Sequence, residues 1–281
     1  MKKLAVHLHI YYKEQVDEIC RYLKNLADVD FDLFVSLVEK DEKLEAAVKK
    51  VVPQANFFVV ENRGYDIGPF IEFLHKINFD DYEYILKLHT KGKKSKNYTW
   101  LNGRRMDNAL WGKVLWDSML GEKSRLKDNL HIMDVDKTIT MAGSEYCITD
   151  NRNDYGKLLP KINEALTKIG KEPVDSLSFV AGSMFLARAE CLVPLLKYGI
   201  GDFSATDGDV KESTLAHVIE RVFGVLGEDI APIGHGSYWF DFFREACKRF
   251  WYQNKVTQGG KRIIKICKVP VYVRQLKNYK N

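Results

Sequence analysis

The chain has 281 residues, of which 46% are apolar and 29% charged, and its formal net charge is +5. That length and apolar share suffice to bury a sizeable core within one principal domain. No stretch approaches the roughly 20 uninterrupted apolar residues of a membrane-spanning helix, and five scattered cysteines without a CxxC pair argue against a disulfide framework or a zinc knuckle.

The first residues, MKKLAVHLHIYY, pair two lysines with a short apolar run, but His7 and His9 interrupt it and no small-residue cleavage site follows. The segment is therefore expected to be a first strand, not a secretion signal, and a reducing cytoplasm is the expected compartment. Residues 4–10 and 31–38 are β-rich. Between them, KEQVDEICRYLKNLA sets Val16, Ile19, Tyr22 or Leu23, and Leu26 on one helical face. A second amphipathic helix over 41–52 and a strand over 56–60 continue the alternation, which is the signature of crossover units in a parallel sheet.

Ligands of such sheets gather at the carboxyl ends of the strands. The segment after the third strand, NRGYDIGPF (62–70), holds an Asn, two glycines and an Asp where backbone N–H groups and one carboxylate can approach a ligand. The same residues also suit an ordinary strand-to-helix turn with Asp66 as N-cap. The fourth strand, YEYILKLHT (82–90), leads into KGKKSKN, and alternation sends Lys87, His89 and Lys91 to one face. Cations there suit the diphosphate of a nucleotide sugar, whose departure requires neutralisation of developing charge. Lys93, Lys94 and Lys96 read instead as a solvated loop.

Residues 100–120 are predicted to be helical, and 138–143 and 177–187 to be strands. In the last of these, the small trio Ala181, Gly182 and Ser183 leaves room either for a ligand such as a sugar ring or for a packed helix. A helix is predicted from about Glu212 to Phe223, closed by Gly224. Its stripe Leu215, Val218, Ile219, Val222 and Phe223 faces the core, with His217, Glu220 and Arg221 opposite. Glu212 falls near the apolar stripe, so it is either a capping carboxylate or a general base for an acceptor hydroxyl, with Asp207 and Asp209 as rivals for that task. His235, between two glycines, is either a turn residue or a ligand of a cation or phosphate.

From about Tyr238 the composition changes to interleaved aromatics and cations. Residues 244–281 carry eleven Lys or Arg and one acidic residue, Glu245, so the preceding part of the chain is net acidic. The first part of this tail can form an amphipathic helix with Trp239, Phe242, Phe243, Phe250 and Trp251, a pattern suited to a membrane surface. The expected organisation is a domain over 1–237 and a basic, aromatic extension over 238–281.

Taken in order, LHIYY, NRGYDIGPF, YILKLHTK with a trailing KKS, FVAGSMFLAR and TLAHVIERVFG resemble the rhamnan synthesis protein F family across residues 4 to 224. The resemblance implies a GT-A-like fold, a mostly parallel sheet flanked by helices. It also implies transfer of a sugar, with L-rhamnose from dTDP-L-rhamnose the usual donor, to a cell-surface polysaccharide or lipid-linked acceptor in cell-wall or lipopolysaccharide assembly. Carried over by position, it assigns donor binding to Asn62, Arg63, Gly64, Asp66, Gly68, Lys87, His89, Thr90 and Lys91. The sugar or acceptor pocket falls to Ala181, Gly182, Ser183, His217, Glu220 and Arg221. Two departures stand out: Gly92 displaces the lysine doublet, and Glu212 stands where an Asp is expected before Thr214.

Enzymes of the GT-A kind usually hold Mg²⁺ or Mn²⁺ on an Asp-x-Asp pair after the fourth strand, and this chain has Lys-Leu-His there. Two readings stand: cations replace the metal, or Asp66 and His235 share one. The resulting expectation is a peripheral enzyme at the inner face of the plasma membrane, with Glu212, Asp207 or Asp209 as base and no nucleic-acid partner. The rival reading is a non-catalytic polysaccharide-assembly partner that keeps the nucleotide-sugar-binding fold.

Overall fold

The computed structural model describes residues 2–92, 98–101, 104–150, 158–206 and 214–234, and the backbone of 252–256, 261–266 and 269–275. Chain contacts divide it into two units, Met1–His235 and Gly236–Asn281.

The first unit is built on a seven-stranded sheet. Strand β1 (Lys2–Ile10) is followed by helix α1 (Val16–Leu23), β2 (Phe31–Leu37), α2 (Glu42–Lys49) and β3 (Asn56–Val59). Helix α3 (Ile67–Leu74) then leads to β4 (Tyr82–His89). Every described burial position of β1, from Leu4 to Ile10, is buried, as a central strand covered on both faces must be. Asp41 caps α2, its Oδ1 accepting from the Leu44 N–H at 3.1 Å. On α1 the predicted face packs inward through Ile19 and Leu23, and Leu26 is buried in the turn beyond it.

After β4 comes a hairpin of β5 (Tyr98–Leu101) and β6 (Arg104–Asp107), and only then helix α4 (Asn108–Leu120). The predicted helix over 100–120 is thus too long at its start. Asp107 explains the boundary, because its Oδ1 accepts from the Leu110 N–H at 2.9 Å as an N-cap. Helix α5 (Arg125–Val135) precedes β7 (Met141–Ser144) and β8 (Ile148–Thr149), and α6 (Leu159–Lys168) precedes β9 (Phe179–Val180) and β10 (Phe185–Arg188). The strand predicted over 177–187 is therefore two short strands in different sheets, separated by a turn in which Gly182 has φ 88° and Ser183 φ 47°. Helix α7 (Leu215–Leu226) and β11 (Ile230–Ile233) close the unit. Gly224 does not end α7. A Cβ there would lie 2.0 Å from the Ser178 carbonyl oxygen, so the glycine lets the helix pack closely on the strand before the turn.

The strand order is β11-β7-β10-β4-β1-β2-β3, and β10 alone in this sheet runs against its neighbours. The sheet is mostly parallel and flanked by helices, the α/β class read from the sequence. The chain steps outward from β1 to β2 and β3, then returns to place β4 on the other side of β1. That reversal creates a topological switch point, where a crevice opens beyond the strand ends. In register, His7 lies beside Lys87 and His9 beside His89. The second unit contains a three-stranded antiparallel sheet of β12 (Tyr252–Val256), β13 (Lys261–Ile266) and β14 (Val269–Gln275). The amphipathic helix expected around 238–251 lies outside the described residues.

Candidate functional site at the strand switch point

A cavity of about 610 Å³ opens at the carboxyl ends of β1 and β4. It is lined by Asn62 and Asp66 from the turn before α3, and by His89, Thr90 and Lys91 from the end of β4. Ala181, Gly182 and Ser183 from the turn between β9 and β10 join them, with His217, Glu220 and Arg221 from α7. Segments that sequence analysis treated separately therefore meet around one space. Another depression, of about 460 Å³, lies by Leu23, Phe31 and Lys50, where β2 begins rather than ends, and none of the motif residues reaches it.

Beneath the cavity lies a buried polar cluster. Lys87 is fully buried, and its ammonium donates to Asp66 Oδ2, to the Ser183 carbonyl at 3.0 Å and to Ser183 Oγ at 3.1 Å. Ser183 Oγ in turn donates to the same Asp66 oxygen at 2.6 Å. Burial pushes the Asp66 carboxyl up, but His89, Lys87 and Ser183 outweigh it and hold the group well below the usual carboxylate range. Asp66 is not a helix cap, since no capping hydrogen bond forms; its carboxylate joins the turn to β4 and to the turn after β9. Lys87 does not line the cavity, so the role expected of it as a ligand-facing cation gives way to that of an internal partner for Asp66.

His89 is similarly committed. Its Nδ1 lies 2.9 Å from the Thr90 carbonyl oxygen and its Nε2 2.8 Å from that of Gly182. Whichever protonation state it holds, no ring nitrogen remains for a ligand. Thr90 contributes through its hydroxyl, which accepts from the N–H groups of Tyr11 and Tyr12 at 2.9 and 3.0 Å and so fixes the chain leaving β1. Gly92 makes room for the same segment: a Cβ there would lie 2.6 Å from the Tyr12 hydroxyl.

Two cations do face the cavity. Lys91 Nζ sits 3.6 Å from the centre of the Trp111 ring, a cation–π contact. Burial lowers its pKa from the ordinary lysine value, with Glu220 and Asp66 opposing. Arg221 donates to Glu220 Oε2 at 2.7 Å and to the His217 carbonyl at 3.0 Å, and its Nε is buried without a partner among the described residues. Glu220 Oε1 accepts from the Gly182 N–H at 2.8 Å, holding the turn against α7. His217, Glu220 and Arg221, opposite the apolar stripe of their helix and assigned to the sugar or acceptor pocket by the resemblance, are partly buried at the cavity wall.

The glycines act on the backbone. Gly64 has φ 67°, and a Cβ on Gly68 would lie 2.1 Å from the Arg63 carbonyl oxygen. At Gly182 a Cβ would lie 2.7 Å from Leu115 Cδ1 and 2.9 Å from Trp111 Nε1, so its missing side chain accommodates α4. Neither Arg63, Gly64 nor Gly68 lines the cavity; the Arg63 guanidinium donates to the Phe203 carbonyl at 2.9 Å and to Glu61.

The cavity also takes residues that the sequence did not single out as site residues: His9, Tyr11, Tyr12, Tyr65, Asn108, Trp111 and Thr206. A signal for Tyr11 and Tyr12 existed in their position after the first strand.

A divalent metal does not fit the described donor set. The carboxylates lining the cavity, Asp66 and Glu220, are each bound by a cation, Lys87 and Arg221, and among the described residues no group of three His, Cys, Asp or Glu is placed to hold an ion. Asp207, Asp209, Glu212 and His235, together with Lys93, Lys94 and Lys96, lie outside the described residues. Among the described residues no helix is long and apolar enough to cross a membrane.

The rhamnan synthesis protein F family model matches residues 1–231, and the chain belongs to that family. Two proteins of Xanthomonas campestris pv. campestris, each described as uncharacterized protein WxcX, are 27% identical to it over 224 residues, covering 79% of this chain and 31% of their own length. The chain thus spans about a third of the curated relatives it matches. Among solved structures, S. aureus TarS 1–349 aligns with TM-score 0.44 and 12% identity over 86% of this chain and 62% of its own. Mannosyltransferase PcManGT from Pyrobaculum calidifontis, in complex with GDP-Man and Mn²⁺, aligns with TM-score 0.42 and 13% identity over 83% of this chain and 55% of its own.

Proposed function

We propose that this member of the rhamnan synthesis protein F family is a GT-A-like glycosyltransferase that moves a sugar, L-rhamnose from dTDP-L-rhamnose, onto a cell-surface polysaccharide or lipid-linked acceptor. One observation carries the reading: the turn at Asn62–Asp66 and the strand end at His89–Lys91 line the same polar cavity at the switch point of a mostly parallel sheet. In such sheets this is where ligands bind.

Three cations, Lys87, Lys91 and Arg221, stand in this region against two carboxylates, Asp66 and Glu220. With the two ion pairs closed, Lys91 supplies the net positive charge that a diphosphate requires. Its place over Trp111 limits its freedom, so little ordering is left for binding. As the bond between sugar and diphosphate breaks, negative charge grows on the departing oxygen, and a cation already positioned there stabilises it without reorganisation. Trp111 and Tyr65 offer flat apolar surface beside the polar groups, the combination a sugar ring or a base can cover. The acceptor proton is assigned to Glu212, Asp207 or Asp209, and single displacement then inverts the sugar carbon.

The cationic extension after residue 238 is assigned to an anionic membrane surface, where each Lys or Arg contributes about 1 kcal/mol. This places the chain at the inner face of the plasma membrane, beside lipid-linked acceptors.

The test is release of nucleoside diphosphate from a panel of nucleotide sugars by the purified chain, with and without acceptor. Release from dTDP-L-rhamnose above the rest is expected. Binding without release in the presence of acceptor identifies a non-catalytic partner, and absence of binding across the panel ends the proposal.

A further inference from the structure

Among the described residues, two other than glycine have positive φ, Ser183 at 47° and Tyr65 at 56°, and both line the cavity. The left-handed conformation presses Cβ against the following carbonyl oxygen and is costly for any L side chain. Residues held this way persist where the surroundings compensate, and they cluster at ligand sites. For Ser183 the protein itself compensates. Its hydroxyl donates to Asp66 Oδ2 at 2.6 Å, and its hydroxyl and carbonyl both accept from the Lys87 ammonium.

Tyr65 receives no comparable return. Its conformation belongs to the turn in which the Ile67 and Gly68 N–H groups donate to the Gly64 carbonyl at 3.0 and 3.1 Å, and glycine or asparagine adopts such a conformation more readily. The Tyr65 hydroxyl makes no hydrogen bond among the described residues. Its ring meets that of His217 on α7, with centroids 5.7 Å apart and planes at 71°. A contact so steep covers at most one face of either ring. The chain thus keeps a large aromatic side chain, half-buried at the cavity wall, where the turn favours a small residue. Trp111 is differently placed, because Lys91 already lies over its ring at 3.6 Å.

The neighbour of Tyr65 indicates what covers the ring. Both hydrogen bonds that Asp66 accepts from described residues end on Oδ2, which leaves Oδ1 of a side chain that lines the cavity and is 20% exposed. His89, Lys87 and Ser183 hold that carboxyl ionised. An ionised oxygen beside a flat apolar surface repels phosphate and suits a neutral ring bearing hydroxyl groups. The hydroxyls donate to the carboxylate while the C–H face lies on the aromatic ring.

We propose that Tyr65 is a binding residue for the sugar ring of the donor, held in a left-handed conformation that sets its ring as a stacking surface beside the Asp66 carboxylate. This rests on the nucleotide-sugar reading above and identifies the part of the donor that the turn before α3 receives: the sugar, with the diphosphate left to Lys91. The conformational cost borne by the free protein is recovered on binding.

Two measurements on the full chain test this with Tyr65→Phe, Tyr65→Ala and Tyr65→Gly. Calorimetric titration compares dTDP-L-rhamnose, UDP-glucose and GDP-mannose with free dTDP, UDP and GDP. Loss of the ring predicts roughly 3- to 10-fold weaker binding of the nucleotide sugar in Tyr65→Ala and Tyr65→Gly, with Tyr65→Phe within about twofold of the wild type. Binding of the free diphosphate should not change. Equal affinity of the wild type and Tyr65→Ala for the nucleotide sugar overturns the contact and leaves the nucleotide-sugar reading standing; an equal loss with the free diphosphate moves the contact to the nucleotide and overturns the sugar assignment. In urea unfolding, Tyr65→Gly should have a higher midpoint than Tyr65→Ala and one no lower than the wild type. A midpoint below the wild type shows that packing within the protein already compensates the conformation, and overturns the proposal. If the wild type binds none of the six compounds, the nucleotide-sugar reading falls and the sugar contact falls with it.

Discussion

The ammonium of Lys87 donates to Oδ2 of Asp66 across 21 positions of sequence, joining the central strand β4 to the turn before α3 at the base of the cavity. Lys87 is wholly buried and Asp66 is 20% exposed. Removing one member of such a pair strands the other charge, which costs about 3–5 kcal/mol when both are buried. Lys87→Met is expected near the lower end of that range in urea unfolding, because water reaches Asp66. The double variant Lys87→Met, Asp66→Leu is expected to recover at least about 1 kcal/mol of the loss. Strict additivity would show that the pair is not coupled.

Gly68→Ala drives a methyl group into the Arg63 carbonyl within a rigid turn. A loss of roughly 1–3 kcal/mol is expected, as for other overpacked sites. Gly199→Ala meets nothing within 4 Å and is the control, expected to stay within about 0.5 kcal/mol. Equal midpoints for the two variants would remove the steric account of the motif's second glycine.

Stability is expected to fall as pH drops from 7 toward about 5, before carboxylates add to the loss. His7 and His9 have folded-state pKa values below their unfolded value near 6.5, so the unfolded chain takes up protons that the folded chain refuses. Below that pH each contributes a slope of up to about 1.4 kcal/mol per pH unit. Above it the effect vanishes. His7→Gln should reduce the slope measured by urea midpoints between pH 6 and 4; an unchanged slope would show that His7 titrates alike in both states.

Lys91→Ala removes the cavity-facing cation that Asp66 and Glu220 leave over. Nucleotide affinity is expected to fall about tenfold or more, the effect of a charge-assisted hydrogen bond, and the salt dependence of binding to flatten. Folding stability should change by only about 0.5–1 kcal/mol through the lost contact with Trp111. Isothermal titration at two salt concentrations measures the first two effects.

The extension is tested in the full chain by replacing Lys255, Lys261, Arg262, Lys265 and Arg274 with Gln. Co-sedimentation with anionic vesicles should decline sharply, and binding to zwitterionic vesicles should be weak for both proteins. Equal sedimentation of the two proteins with anionic vesicles would remove the membrane assignment.

Much of this architecture was legible before any coordinates. The alternation from residue 4 to 90 identified four strands and their crossovers, because apolar periodicity is a local property that each element must satisfy to be covered by the next. The rule that ligands meet strand ends then drew attention to Asn62, Asp66, His89 and Lys91, which share the cavity. Apolar richness misled at residues 100–107, where large side chains belong to a hairpin, and at 177–187, where one apolar-rich run hides a break of positive φ at Gly182 and Ser183.

The sequence by itself determined the order of the first four strands and the helices between them, and the presence of cations and carboxylates near the strand ends, since these follow from composition and spacing along the chain. Only the tertiary structure decided what each polar group is free to do. Lys87 and His89 looked available but are bound internally, His89 by a carbonyl 93 positions away, whereas Lys91 stands at the cavity wall over Trp111. Hydrogen-bonding capacity is finite, and folding allocates it among partners whose proximity no local pattern records.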